Sequence, residues 1–172
     1  SIMTTTGFGT ADYELWPVLC VYLLVFLMFI GGCAGSTGGG MKVAHILLIF
    51  KHAQVQVYRL IHPRAVRLVK LGDRPVDKEV MQSILGFFAL YMGVFVAASF
   101  IMAGIGMDIP SAGASVIATL SNIGPGLGSV GPTDNFAHVP ALGKLVLSFC
   151  MLLGRLELFT VLVLVFPSFW RK

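Results

Sequence analysis

Glycine and small hydroxyl residues form clusters in this sequence that are candidates for binding a phosphate or an ion through backbone groups. Residues 126–131, GLGSVG, have the G-x-G-x-x-G spacing of a dinucleotide-binding turn. Such a turn binds a pyrophosphate only when a strand precedes it and a helix begins within it. Here the small residues of 111–121 come before it and Pro132 follows it. The sequence therefore argues against dinucleotide binding.

A second cluster, GGCAGSTGGGMK at 31–42, is similar to a phosphate-binding loop but lacks the Gly-Lys-Ser/Thr run that holds phosphate and magnesium. The cysteines and histidines show no metal-ligand spacing. No nucleophile stands in a pattern with a base. The sequence thus predicts a protein that is not an enzyme and that holds no covalently bound cofactor and no transition metal.

The remaining candidate chemistry belongs to backbone oxygens in two turns, TTTGF at 4–8 and SNIGPG at 121–126. Glycine lets successive carbonyl groups turn toward a common axis, and rings of carbonyl oxygens can replace the hydration shell of a cation. Gly124 and Gly128 also fit the G-x-x-x-G spacing of packed helices. Pro125 between them disfavours a continuous helix, so we predict a cation filter and keep helix packing as the alternative.

Composition indicates the elements that would position these turns. The chain has 172 residues, of which 56% are hydrophobic and 12% charged, and its mean hydropathy is +0.88. Soluble domains carry about a quarter charged residues, so we predict an integral membrane protein. Apolar stretches cover 15–30, 80–107 and 141–166. The first is too short to cross hydrocarbon unless the span continues through the glycine cluster.

Residues 111–121 predict a half-helix, with Pro110 suited to its first turn and Asp108 near its start. At about 17 Å it would enter the membrane without crossing it. The backbone of 122–128 would then return to the surface beside a water-filled path. This order of helix, re-entrant pore helix, filter and helix is that of a potassium-channel repeat, which makes the fold class all-α integral membrane.

The N-terminal part repeats the end of this scheme, because Gly7 and Gly124 are 117 positions apart and each precedes acidic residues and an apolar span. We therefore divide the chain into the end of one repeat (1–50), a linker (51–79) and a whole repeat (80–172). The whole repeat comprises an outer helix 80–107, a pore helix 111–121, a filter 122–128 and an inner helix 139–168.

Charge asymmetry predicts the orientation. Seven basic residues lie in the linker: Lys51, Arg59, Arg64, Arg67, Lys70, Arg74 and Lys78. By the positive-inside rule the linker and the C-terminus are cytoplasmic, and the filters face outside. The net charge of +4 favours contact with anionic membrane lipid over nucleic acid. Four carboxylates fall outside and would form either an acidic vestibule or ordinary solvated loops: Asp12, Glu14, Asp108 and Asp134.

The span that starts at Leu15 is broken at 31–40, because each glycine disfavours helix. Either this segment is an intramembrane loop, or its G-x-x-x-G spacings pack helices. Arg155 lies near the middle of the last span, where an arginine must face a wet cavity or a partner. It would clamp loop carbonyls or form a positive barrier below the filter, and Lys42 is a weaker candidate of the same kind.

Four motifs in order, TTTGF, FIGGCAGSTGGGMK, NIGPGLG and LGRLELFTVLVLVFPSFW, make the whole chain similar to the Trk/Ktr superfamily of potassium transporters, most closely its TrkH-type membrane subunits. The resemblance implies four pore repeats in one polypeptide, of which this chain would be the end of the third and all of the fourth. Repeats one and two and the third pore helix are absent from this sequence.

The resemblance also implies site residues. Backbone groups at six positions would coordinate the transported K⁺: Thr5, Thr6, Gly7, Asn122, Ile123 and Gly124. An intramembrane loop and two basic residues would gate the path: Gly31, Gly32, Gly35, Ser36, Thr37, Gly38, Gly39, Gly40, Lys42 and Arg155.

The partners that the resemblance implies are a second copy in a homodimer and a cytosolic nucleotide-binding regulatory subunit, with the protein in the bacterial inner membrane. Channel-like and ion-coupled passage both stay open. Two alternatives to potassium uptake also stay open: a sodium-permeant or weakly selective transporter of the same architecture, and a non-transporting assembly fragment.

Overall fold

The structure, a computed structural model, describes residues 1–9, 11–33, 35–36, 38–63, 68–72 and 74–155. The helices of this described part are α1 (Val18–Phe29), α2 (Val43–Ile61), α3 (Lys78–Gly104), α4 (Ile109–Leu120) and α5 (Ala141–Arg155). A short antiparallel hairpin, β1 (Lys70–Leu71) and β2 (Arg74–Pro75), joins α2 to α3.

Helix α3 is the outer helix expected at 80–107, and it runs over Lys78–Gly104. Its 27 residues extend about 40 Å at 1.5 Å per residue, which exceeds the hydrocarbon thickness of about 30 Å. Within the described ranges it is the one helix that is long and apolar enough to cross a membrane by itself.

Helix α4 is a half-helix buried at the centre of the fold. It has 12 residues, or about 18 Å, and starts two residues before the expected 111 because Asp108 caps it. The Asp108 carboxylate accepts a hydrogen bond from the Ser111 backbone N–H at 3.3 Å. Nine of the 12 residues of α4 are buried, and α4 packs against both α3 and α5.

The polar residues inside α4 are satisfied locally. The hydroxyl of Ser115 donates to the Ala112 carbonyl at 2.8 Å, and that of Thr119 donates to the Ser115 carbonyl at 2.8 Å. The surrounding core is apolar and includes Met102, Val116, Leu120, Leu147 and Leu153. Because the C-terminal half of α4 is buried on all sides, its end has a fixed position. Residues 121–127 continue from that end.

A break separates α1 from α2. Helix α1 ends at Phe29 after 12 residues, and α2 begins at Val43. Ile30 and Met41 form a parallel bridge, and the Gly31 N–H donates to the Met41 carbonyl at 2.7 Å. The segment between them therefore leaves the helical path and returns to its starting point.

Two boundaries of the sequence-based division differ from the helices. Helix α2 continues to Ile61, so the expected linker start at 51 falls inside a helix. The hairpin was not predicted, although Gly72 and Asp73 between its strands are typical of a two-residue hairpin turn. Helix α5 begins at Ala141, directly after Pro140, two residues later than the expected 139. Residues 156–168 of the expected inner helix lie outside the described residues, as do Arg64 and Arg67 of the linker.

Candidate ion pathway

The two glycine turns expected to form the filter have the same backbone pattern. Thr5 and Gly7 have φ angles of 55° and 77°, and Asn122 and Gly124 have φ angles of 56° and 108°. Among the described residues, Thr5 and Asn122 are the non-glycine residues with positive φ. A β-branched threonine rarely adopts this conformation. The 117-residue repeat therefore extends to the backbone conformation of the turns.

The two turns also lie against each other. A Cβ on Gly7 would collide with the Ile123 carbonyl oxygen and would lie 3.5 Å from Cδ of Pro125. Thr6, Gly7, Ile123 and Gly124 line one cavity of about 360 Å³. Residues of two repeats thus meet at one shared cavity.

Side-chain hydrogen bonds attach the turn at 121–124 to α3 and α5. The Asn122 amide donates to the Met151 carbonyl of α5 at 3.1 Å. The hydroxyls of Ser121 and Tyr91 are 2.8 Å apart, and Tyr91 is fully buried. The Asn122 side chain is therefore used for attachment to α5, which leaves the backbone oxygens of this turn as the candidate cation ligands.

Residues 126–131, which we call the support turn, follow the turn at 121–124. The Tyr13 hydroxyl donates to the Gly126 carbonyl at 2.6 Å, and the Gly128 N–H donates to Oε1 of Glu14 at 2.5 Å. Burial, and then the charges of Glu14 and Asp12, raise the pKa of Tyr13 to about 12. Sequence reasoning missed these roles of Tyr13 and Glu14, because the partners are more than 110 positions away and no local pattern links them.

The four carboxylates expected near the outer face have different surroundings. Asp12 accepts a hydrogen bond from the Glu14 N–H, Glu14 from Gly128, and Asp108 from Ser111. Hydrogen bonds from the Ser111 hydroxyl and backbone lower the pKa of Asp108. Asp134 lines the 360 Å³ cavity. Three of these carboxylates therefore hold backbone in place, and Asp134 alone among the four lines that cavity.

The glycine loop passes directly against both glycine turns. A Cβ on Gly38 would lie 2.8 Å from Oγ1 of Thr5, and one on Gly39 would lie 2.6 Å from the Ser121 carbonyl oxygen. A side chain at Gly39 would therefore displace the Ser121 backbone, and one at Gly38 would displace the Thr5 side chain. The described residues of 31–40 are not helical, and residues 124–127 are not helical either. Neither segment therefore forms the continuous helix that a G-x-x-x-G packing motif requires.

Lys42 holds the glycine loop through its ammonium group. Its Nζ donates to the Ser36 carbonyl at 2.5 Å and to the Gly38 carbonyl at 2.6 Å. The Gly38 N–H also donates to the Ser36 hydroxyl at 3.2 Å. Gly35 is different, because a Cβ there would meet nothing within 4 Å. Thr37 lies outside the described residues.

Gly154 brings α5 against the end of the half-helix. A Cβ on Gly154 would collide with the Leu120 carbonyl oxygen and would lie 3.0 Å from the Asn122 amide nitrogen. Arg155, the next residue, is exposed. Arg155 is therefore one residue away from the close contact of α5 with Leu120 and Asn122.

The sequence matches the TrkH family of cation transport proteins over residues 1–172. The chain belongs to this family. The TrkH family resemblance that the four motifs indicated is thereby confirmed.

Relatives in this family carry names that describe potassium uptake. The chain is 48% identical over its whole length to the Trk system potassium uptake protein TrkH of Salmonella typhimurium and to that of Escherichia coli. It is 36% identical to TrkG of Escherichia coli. The chain spans about 35% of the length of each of these relatives.

A solved structure confirms the fold class. The crystal structure of the potassium transporter TrkH from Vibrio parahaemolyticus matches with a TM-score of 0.89 at 47% identity, over 98% of this chain and 36% of that one. The fold is thus the helical membrane fold of TrkH, with potassium-channel-like pore-helix repeats.

Proposed function

We propose that this chain supplies part of a potassium uptake pathway, as the end of the third and the whole of the fourth of four pore repeats. One observation carries the proposal: two turns with matching φ angles, 117 positions apart, meet at the contact between Gly7 and Ile123. The potassium uptake names of its TrkH relatives support K⁺ as the transported ion.

The filter consists of backbone oxygens at the six positions Thr5, Thr6, Gly7, Asn122, Ile123 and Gly124. Carbonyl oxygens suit a weakly hydrated monovalent cation, because they replace its water shell without adding a full negative charge. The C-terminal, partially negative end of α4 lies directly before Asn122 and favours a cation there.

The gate consists of the glycine loop 31–40 with Lys42 and Arg155. Contacts of Gly38 and Gly39 with the two filter turns support a loop that obstructs the path below the filter. A cation can pass only if these contacts break. Lys42 stabilises the closed loop through the Ser36 and Gly38 carbonyls, and Arg155 adds positive charge that opposes cation passage until the loop moves.

The protein lies in the bacterial inner membrane with its linker 51–79 on the cytoplasmic side, as a homodimer that binds a cytosolic regulatory subunit. A cavity of about 340 Å³ between α2, the hairpin and α3 is lined by His52, Arg59 and Lys78 together with two glutamines and apolar residues. This combination suits the headgroup and upper acyl chain of an anionic phospholipid.

The test is Gly124→Ser in the full-length polypeptide that carries this sequence, reconstituted in proteoliposomes. Gly124 has φ 108° and open space around its Cβ position, so serine fits sterically but strains the backbone. A filter predicts a lower Rb⁺-over-Na⁺ flux ratio with assembly intact. Misassembly with an unchanged ratio would indicate a packing role, and equal Rb⁺ and Na⁺ flux in the wild type would indicate the sodium-permeant alternative.

A further inference from the structure

We infer that Tyr13 and Glu14 are positioning residues for ion selectivity. Both belong to the third repeat, and both bind the support turn of the fourth repeat. The inference rests on the proposed function, because it concerns the filter of that pathway. Neither side chain is proposed to touch the ion.

Tyr13 fixes the start of the support turn. Its hydroxyl donates to the Gly126 carbonyl at 2.6 Å, and its side chain is 6% exposed. Gly126 is two residues after Gly124. Because a buried carbonyl without a donor is unfavourable, loss of this bond would let Gly126 move, and the filter turn would move with it.

Glu14 fixes the middle of the support turn. Oε1 accepts from the Gly128 N–H at 2.5 Å, and a Cβ on Gly131 would lie 2.7 Å from the same oxygen. The Glu14 carboxylate therefore occupies the space that a side chain at residue 131 would need. Asp12 in turn accepts from the Glu14 N–H at 3.0 Å, which fixes the backbone that carries Glu14. Hydrogen bonds to a carboxylate are stronger than neutral ones.

The fourth repeat holds the support turn from its own side. The Ser129 N–H donates to the Ser111 hydroxyl of α4 at 3.0 Å, and the Gly126 N–H donates to the Val130 carbonyl at 2.7 Å. The turn is thus held between its own pore helix and residues of the preceding repeat. Tyr13 and Glu14 set the spacing between the two repeats, on which the positions of the filter oxygens depend.

The experiment measures the Rb⁺-over-Na⁺ flux ratio of the full-length protein in proteoliposomes, together with its melting temperature, for Tyr13→Phe, Glu14→Ala and Glu14→Gln. Tyr13→Phe removes only the hydroxyl, and Glu14→Ala removes the acceptor. Glu14→Gln keeps an acceptor oxygen at the same place. Tyr22→Phe is the matched control, because it removes the hydroxyl of an exposed tyrosine on α1.

We expect Tyr13→Phe and Glu14→Ala to lower the flux ratio by about tenfold, which corresponds to about 1.4 kcal/mol of discrimination. Glu14→Gln should recover most of the ratio, and Tyr22→Phe should leave it unchanged. A wild-type ratio in Tyr13→Phe and Glu14→Ala, with or without a lower melting temperature, would overturn the inference. A wild-type protein that itself fails to discriminate would instead overturn the proposed potassium selectivity and indicate the sodium-permeant alternative.

Discussion

The α-carbon of Gly7 faces the Ile123 carbonyl oxygen so closely that a methyl group at residue 7 would collide with it. The two residues are 116 positions apart, yet each lies in a turn with positive φ at alternate residues. This contact joins one pore repeat to the next at the level of the candidate filter.

The first prediction concerns this contact. Gly7→Ala should destabilise the protein and abolish selective Rb⁺ uptake, because alanine at φ 77° costs about 1–2 kcal/mol and its methyl group displaces Ile123. Gly93→Ala in α3 is the matched control, since a Cβ there meets nothing within 4 Å. It should be neutral or stabilise by up to about 1 kcal/mol. Equal melting temperatures and uptake in the two variants would contradict the contact.

A second prediction separates two glycines of the loop. Gly39→Ala should push the loop away from the Ser121 carbonyl, which lies 2.6 Å from the Cβ position. Rb⁺ uptake should rise about fivefold if roughly 1 kcal/mol of loop docking is lost. Gly35→Ala should leave uptake unchanged, because the space around it is open. Unchanged or lower uptake in Gly39→Ala would argue against a loop that obstructs the path.

Lys42 provides a third prediction. Lys42→Met keeps the apolar part of the side chain but removes two hydrogen bonds to the loop, so uptake without the regulatory subunit should increase. Arg155→Ala should act in the same direction. Lys144→Met is the control, because the Lys144 ammonium binds the Ala137 carbonyl outside the loop. The barrier role is wrong if both Lys42→Met and Arg155→Ala transport no faster than the control.

The fourth prediction is a pH dependence. Burial raises the pKa of Tyr13 from 10.0 to about 12, so the folded state favours the neutral phenol. The stability that this provides is fully present below pH 10 and is lost as the pH rises through about 12. The tyrosinate absorbance difference between wild type and Tyr13→Phe, recorded in detergent, should titrate near 12. A difference spectrum that titrates near 10 would show that Tyr13 is not buried against Gly126.

The half-helix, the glycine turns and the break after α1 could be predicted because each has a local signal. Asp108 and Pro110 mark the start of α4, and the length of an apolar stretch decides whether it can cross a membrane. The end of α2 was misplaced because its polar continuation to Ile61 is compatible with either helix or linker.

The contacts that position the site could not be predicted in the same way. Glu14 was expected only as a carboxylate near the outer face and Tyr13 carried no prediction, because their partners Gly128 and Gly126 lie in another repeat. Only the fold brings them together. The close fit of Gly39 against Ser121 likewise depends on tertiary packing, although a glycine run suggested that some backbone approach was needed.

The most direct test of the filter is anomalous diffraction from crystals of the full-length protein grown with Rb⁺. We expect an anomalous peak between the Thr5–Gly7 and Asn122–Gly124 turns, coordinated by their backbone oxygens and lost when Na⁺ replaces Rb⁺. Dry packing of these turns with no Rb⁺ peak between them would contradict it.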